Sequence, residues 1–99
     1  MTQRPVARAR LEIESTLVLS TGHVTKETAD SLNGDIEPER GWSPHFQNEY
    51  GWIFWADQDL QLVPEEFEAI FALAKSVGCK WVRFDCDGPR VPTLPFFTW

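Results

Sequence analysis

No apolar run in this 99-residue chain approaches the roughly 20 residues that a membrane-crossing helix needs. The opening stretch, MTQRPVARAR, carries Arg residues with no apolar segment after them, so it does not read as a secretory signal. A cytoplasmic protein without a membrane partner is expected. Cysteine is scarce as well: Cys79 and Cys86 are the only two. They flank KWVRFD, and if that run is extended at about 3.3 Å per residue they lie roughly 23 Å apart, against the Cα separation of about 4.4 to 6.8 Å that a disulfide requires. Their spacing does not suit a zinc knuckle either, and His23 and His45 have no partner at ligand spacing. Ordinary thiols, no metal centre and no cofactor are expected.

Basic residues are few and badly distributed. The formal charge is −6, but Arg4, Arg8 and Arg10 account for three of the nine bases, so residues 11–99 hold six bases against fifteen acids, a net of −9. Such a field disfavours direct binding to nucleic acid or an anionic membrane and favours solubility or a basic partner. Between Asp35 and Glu68 there are nine acids and one base, Arg40, a local net of −8.

What is present fits one small domain. Residues 1–10 have no apolar periodicity and read as a flexible arm, and 11–99 as a single domain. From Leu11 the chain alternates, with Leu11, Ile13, Leu17 and Leu19 on one face and Glu12, Glu14 and Thr16 on the other, the mark of a strand with one wet face. Thr25 caps a short helix through KETADSLN that Asn33-Gly34 stops. Residues 34–48 read as a long loop in which Ile36, Trp42 and Phe46 pin the chain to the core. EYGWIFWAD reads as a strand covered on both sides, with Tyr50, Trp52 and Phe54 on one face and Ile53 and Trp55 on the other.

The segment LVPEEFEAIFALAKSVGC is the clearest helix, with Pro64 at its first position, acids in its first turn and Gly78 at its stop. Phe67, Ile70, Phe71, Ala74 and Val77 recur at helical spacing as its core stripe. KWVRFDC is a further strand, and the strand-helix-strand unit has the length of a right-handed crossover, which predicts two parallel strands. The apolar tail VPTLPFFTW is expected to pack on the sheet as an edge segment. The fold class is α+β: a two-layer sandwich, a small mixed sheet of three to four strands with two helices on one face.

Asp85-Cys86-Asp87-Gly88 at a strand end invites an aspartyl-phosphate reading. That chemistry also needs a Ser or Thr, a Lys and further acids, yet no Lys, Asp, Glu or His follows Asp87, and Pro89 stands where such a motif carries Thr. A calcium loop fails because the acids stop at two. The composition is what a turn needs, with Asp bonding its own backbone and Gly and Pro ending the ladder. The alternative is a divalent-metal enzyme or metal-binding protein using Asp85 and Asp87, two like charges on one face whose repulsion a cation relieves.

YGWIFW, VPEEFEAIFALAKSVGCKWVRFDCDGP, LPFFTW and STGHVTKETADSLN resemble a family of small uncharacterised proteins commonly encoded on bacterial plasmids and genomic islands. The resemblance covers most of residues 15–99; it implies no activity and transfers no catalytic residue. It implies a habitat in which small acidic proteins bind defence machinery, CRISPR complexes and restriction enzymes included, by presenting carboxylates in place of phosphates.

The expected function is thus an interaction module and not an enzyme, one that inhibits or modulates a basic nucleic-acid-binding protein by charge mimicry. The expected contact residues are Asp35, Glu37, Glu39, Asp57, Asp59, Glu65 and Glu66. Trp81, Arg83 and Trp52 form a second expected interface: two helices cover one side of a sheet, Trp52 or Trp55 must face away from them, and aromatic side chains on the far side need the tail or a second copy of the chain, as a homodimer, to cover them. Arg83 is placed over a Trp face there.

Overall fold

A computed structural model describes residues 11–34, 42 and 44–99. Within them lie the strands β1 (Ser15–Ser20), β2 (Phe46–Asn48), β3 (Gly51–Trp55) and β4 (Cys79–Asp85) and the helices α1 (Lys26–Leu32) and α2 (Glu66–Ser76). The strands form one mixed sheet in the order β1-β4-β3-β2, with β1 parallel to β4 and the other pairs antiparallel. No helix among the described residues is long and apolar enough to cross a membrane. The expected arm, residues 1–10, lies outside the described residues.

The helices form where their end signals sit. Thr25 Oγ1 accepts from the Thr28 N–H at 3.2 Å and caps α1. Asn33 closes that helix, and Gly34 follows at φ +86°, a left-handed conformation that a Cβ would disfavour. Before α2 the Pro64 carbonyl accepts from Phe67 N–H at 3.0 Å, and after it Gly78 turns the chain at φ +80° straight into β4.

Alternation along β3 and β4 decides what lies inside. Trp52, Phe54, Val82 and Phe84 point to the helix side and are buried, as is Leu19 of β1. They meet Phe67, Ile70, Phe71 and Ala74 of α2 and Ala29 and Leu32 of α1, so both helices lie on one face of the sheet, as expected. Phe54 is the hub, with ring centroids 5.1 Å from Phe67, 5.9 Å from Phe84 and 6.2 Å from Phe71. Trp42 closes the cluster 5.6 Å from Phe67 and 6.2 Å from Phe54, so it does pin the loop it belongs to. Phe46 instead is 59% exposed, and Ile36 lies outside the described residues.

Several expectations are corrected. The strands flanking α2, β3 and β4, run antiparallel, because residues 56–65 first carry the chain back along the sheet and α2 then rises beside β3 in the same direction. The end of α2 accordingly meets the end of β3: Lys75 Nζ lies 3.3 Å from Asp57, and Ala56 N–H donates to Lys80 O at 2.8 Å. The parallel partner of β4 is β1. The loop expected over 34–48 contains β2, a hairpin partner of β3 whose turn is held by Asn48 Oδ1 accepting from the N–H groups of Tyr50 and Gly51 at 2.8 and 3.1 Å. Tyr50 is therefore in an exposed turn and not on the Trp52 face.

At the other sheet edge β1 begins only at Ser15, with a register shift between Ser15 and Thr16, and Leu11 and Ile13 are exposed. Val77, the last residue of the apolar stripe, is 59% exposed because α2 has already ended. β3 is covered on one side only. The tail is not an edge strand; it docks on the 3-10 turn Thr21–His23 between β1 and α1.

The two helix starts are tied by one carboxylate. Glu66 Oε2 accepts from Thr25 N–H at 2.9 Å, Thr25 Oγ1 at 3.2 Å and Thr28 Oγ1 at 2.6 Å. An ionised acceptor with several donors is worth more than a neutral one, and its loss strands the Thr hydroxyls. Glu66→Ala should cost about 2 to 3 kcal/mol in urea denaturation, whereas Glu65→Ala, at an exposed neighbour, should stay within about 0.5 kcal/mol. Equal effects would show that the clamp does not carry the difference.

Candidate functional site

On the face of the sheet away from the helices, β3 and β4 present Ile53, Trp55, Trp81 and Arg83, with Val18 of β1 beside them. Trp55 and Trp81 are register partners whose rings meet edge to face at 4.5 Å. His45 packs 5.1 Å from Trp81 and 4.6 Å from the exposed Phe46, extending the aromatic row toward β2. The Trp81 Nε1–H donates to Glu14 Oε1 at 2.8 Å, which fixes the indole and sets a carboxylate at the rim. Both tryptophans are half-buried and, among the described residues, no helix lies over them.

Of the expected second interface, Trp81 and Arg83 lie on this face and Trp52 does not. Trp52 shares the parity of Phe54, is 5% exposed and packs 6.4 Å from Phe84 in the core; Trp55 occupies the place assigned to it. The Arg83 guanidinium is drawn to Asp85 instead of a Trp face, with Nη2 2.8 Å from Oδ2. Beside this pair a recess of about 200 Å³ opens between Phe46, Tyr50, Ile53 and Arg83.

The expected acidic contact residues do not gather in one patch. Asp57 stands at the C-terminal end of α2 paired with Lys75, and Glu65 stands at its N-terminal end, about 15 Å away at 1.5 Å per residue. Asp59 Oδ1 accepts from Gln61 N–H at 3.0 Å and shapes the loop between. Glu66 is committed to Thr25 and Thr28. Asp35, Glu37 and Glu39 lie outside the described residues.

Asp85 to Pro89 forms a weld. Asp85 Oδ1 accepts from Asp87 N–H at 2.8 Å, its Oδ2 holds Arg83, and its carbonyl accepts from Gly88 N–H at 2.8 Å. Cys86 N–H reaches Tyr50 O, and Ser20 N–H reaches Pro89 O, each at 2.8 Å, so the turn joins the hairpin to the end of β1. Gly88 lies so close to β1 that a Cβ there would meet the Leu19 carbonyl oxygen at 2.6 Å. Cys86 in this turn and Cys79 at the start of β4 are both free. Side-chain ligand atoms of Asp85, Cys86 and Asp87 fall within 4.8 Å of one another, the one such cluster among the described residues.

The bond from Arg83, and after it the Asp87 N–H, lowers the Asp85 pKa below the ordinary carboxylate value. The hydrogen bond to Glu49 raises that of Tyr50.

Two residues have structural duties that the sequence did not assign to them. Glu66 clamps a cap 38 to 41 residues away, and His23 is fully buried between ring bonds to Val91 and Pro95, 68 and 72 residues away. No local pattern signals partners at that distance.

Residues 16–99 match a family model described as "Family of unknown function (DUF5983) C-terminal domain". No curated protein and no solved structure matches the chain.

A lowered folded-state pKa at Asp85 means that its carboxylate stabilises the fold above the ordinary Asp range and that this contribution is lost as pH falls through the folded value. Wild type should therefore exceed Asp85→Asn in stability at neutral pH, with the gap closing between about pH 5 and pH 2. A gap independent of pH over that range, in parallel denaturant titrations, would assign the effect to packing.

Proposed function

This chain belongs to that family of unknown function, and from its open aromatic face and acidic body we propose that it works by binding and not by catalysis. It acts as a small acidic interaction module of mobile-element origin. Its partner is a basic, nucleic-acid-binding protein of the defence class, CRISPR or restriction type, which it inhibits or modulates in the cytoplasm by offering carboxylates where that protein expects phosphates. The observation that carries the reading is the half-exposed Trp55–Trp81 pair, flanked by Phe46, on a sheet face without a helix over it, in a body whose residues 11–99 carry a net charge of −9. Large half-buried aromatics supply contact area at low entropic cost, Glu14 sets a carboxylate at their rim, and Asp57, Asp59 and Glu65, spread over the rest of the body, add to the negative field that steers a basic partner.

Contacts between carboxylates and Lys or Arg are screened, and the screening length falls from roughly 10 to 4 Å between about 0.1 and 0.5 M salt. Capture from a bacterial lysate on the immobilised chain should therefore yield a basic nucleic-acid-handling protein, with at least tenfold weaker retention at the higher salt. Joint reversal by Asp57→Lys, Asp59→Lys and Glu65→Lys should lower capture at low salt, and Trp55→Ala with Trp81→Ala should lower it at both. A partner held equally at both salts and by the reversed protein sinks charge mimicry; scattering at twice the monomer mass would instead give the aromatic face to a second copy.

The Asp85, Cys86 and Asp87 cluster favours a second reading, a divalent-metal protein. Each Asp85 carboxylate oxygen already accepts one hydrogen bond, from Arg83 and from the Asp87 N–H, so a cation there would share those oxygens with both donors and would sit close to the Arg83 guanidinium. Calorimetric titration with Mg²⁺, Mn²⁺ and Ca²⁺ at millimolar concentration should give no heat; saturable heat abolished by Asp87→Asn would establish the metal reading.

A further inference from the structure

His23 is fully buried, and both of its ring nitrogens are held by one distant segment of chain. Nδ1 lies 2.7 Å from the Pro95 carbonyl oxygen, a group that only accepts, so Nδ1 carries the proton. Nε2 lies 2.9 Å from the Val91 N–H, a group that only donates, so Nε2 presents its lone pair. The partners fix a single neutral tautomer.

Among the described residues, the other hydrogen bonds from this segment to the rest of the chain go to the same short stretch. Phe97 N–H donates to Gly22 O at 2.8 Å, and Trp99 Nε1–H donates to Val24 O at 2.9 Å. The Phe96 ring stands edge-on to the imidazole at 5.2 Å and so close to Gly22 that a Cβ there would meet it at 2.5 Å. Residues 91–99 are thus fastened to 22–24 around one titratable side chain.

We propose that His23 is a proton-sensitive latch for the segment 91–99. A proton taken from solvent occupies the Nε2 lone pair, the Val91 N–H then faces another N–H, and that hydrogen bond is lost while the Pro95 bond remains. The imidazolium is also a buried cation. The ionisable groups on the surrounding elements are Arg90 on the tail, Asp85, Cys86 and Asp87 on the turn bonded to Ser20, Glu49 on the hairpin turn beside Thr21 and Trp99, Lys26, Glu27 and Asp30 on α1, and Glu65, Glu66 and Glu68 at the start of α2. Arg90 lies 4.3 Å from the centroid of Phe96, the ring that abuts His23, and adds like charge. Lys26 and Asp30 pair with each other, and Glu66 is committed to Thr25 and Thr28. The only hydrogen-bond partners on the ring among the described residues are Val91 and Pro95, neither of them a carboxylate. Charging His23 therefore favours release of the segment, which uncovers Val24, Leu94 and the half-buried rings of Phe96 and Phe97.

The test is nuclear magnetic resonance of the full chain from about pH 7.5 to 5, the span in which histidines ordinarily charge. At the upper end the ¹⁵N shifts of His23 should report the Nδ1–H tautomer. On acidification the exchange protection factors of the Val91 and Phe97 amides should fall at least tenfold and the Trp99 indole N–H should move to its unstructured position, while Val82 in β4 keeps its protection. His45→Gln should respond like wild type, and His23→Gln should lose the response. An Nε2–H tautomer, protection at Val91 and Phe97 unchanged to pH 5, or the same fall in His23→Gln would overturn the latch. So would a loss shared by Val82, which is global unfolding; the wild-type data alone decide the matter if His23→Gln does not fold.

Discussion

The constraint on which this small protein depends is that Phe54 must be dry. Its ring meets Phe67 and Phe71 on the helix above and Phe84 on the neighbouring strand, and Trp42 caps the group. Burying one such side chain is worth roughly 1.5 to 3 kcal/mol, so this one cluster is a large share of what a domain of this size has to spend against its chain entropy. Because strand side chains alternate, fixing Phe54, Val82 and Phe84 inward leaves Ile53, Trp55, Trp81 and Arg83 no choice but to face outward. The open aromatic face is therefore the reverse side of the core, and a register slip of one residue would exchange the two.

Polar bonds then set where the helices and the tail end up. The Glu66 carboxylate fixes the start of α2 against the capped end of α1, and the Asp85–Pro89 turn fixes the end of β4 against the end of β1. These two welds lie at one end of the sheet, opposite the Asp57–Lys75 pair. The acids that look like one block when counted along the chain serve different ends of the fold, and Glu66 and Asp85 are spent on internal donors.

What could be read from the sequence was whatever is encoded within a few residues. Thr25 with Asn33-Gly34, Pro64 with Gly78, and the parity of Val82 and Phe84 are local signals, and they placed both helices and β4 and with them the α+β class. The direction of β3 relative to β4 was not local: it depends on residues 56–65 returning along the sheet, which no periodicity reports. β2 is three residues long, too short for alternation to register. Trp52 and Trp55 have opposite parity, but which side is the core follows only from what α2 covers. The turn reading of Asp85 and Asp87 was legible because the chemistry is in the residues themselves.

The parallel pairing of β1 with β4 has a kinetic side. Ser15 meets Cys79, 79 − 15 = 64 residues later, and Ser20 is bonded to Pro89 beyond that. Contacts of such separation cost loop-closure entropy before they return anything, so they belong late in folding. As the chain leaves the ribosome, β1 emerges with its hydrogen-bonding partner not yet made, while β2, β3, α2 and β4 can assemble from near neighbours in sequence. Of the four described strands, β1 is the one whose pairing is least local, and while it is unpaired the edge of β4 stands open to any other strand.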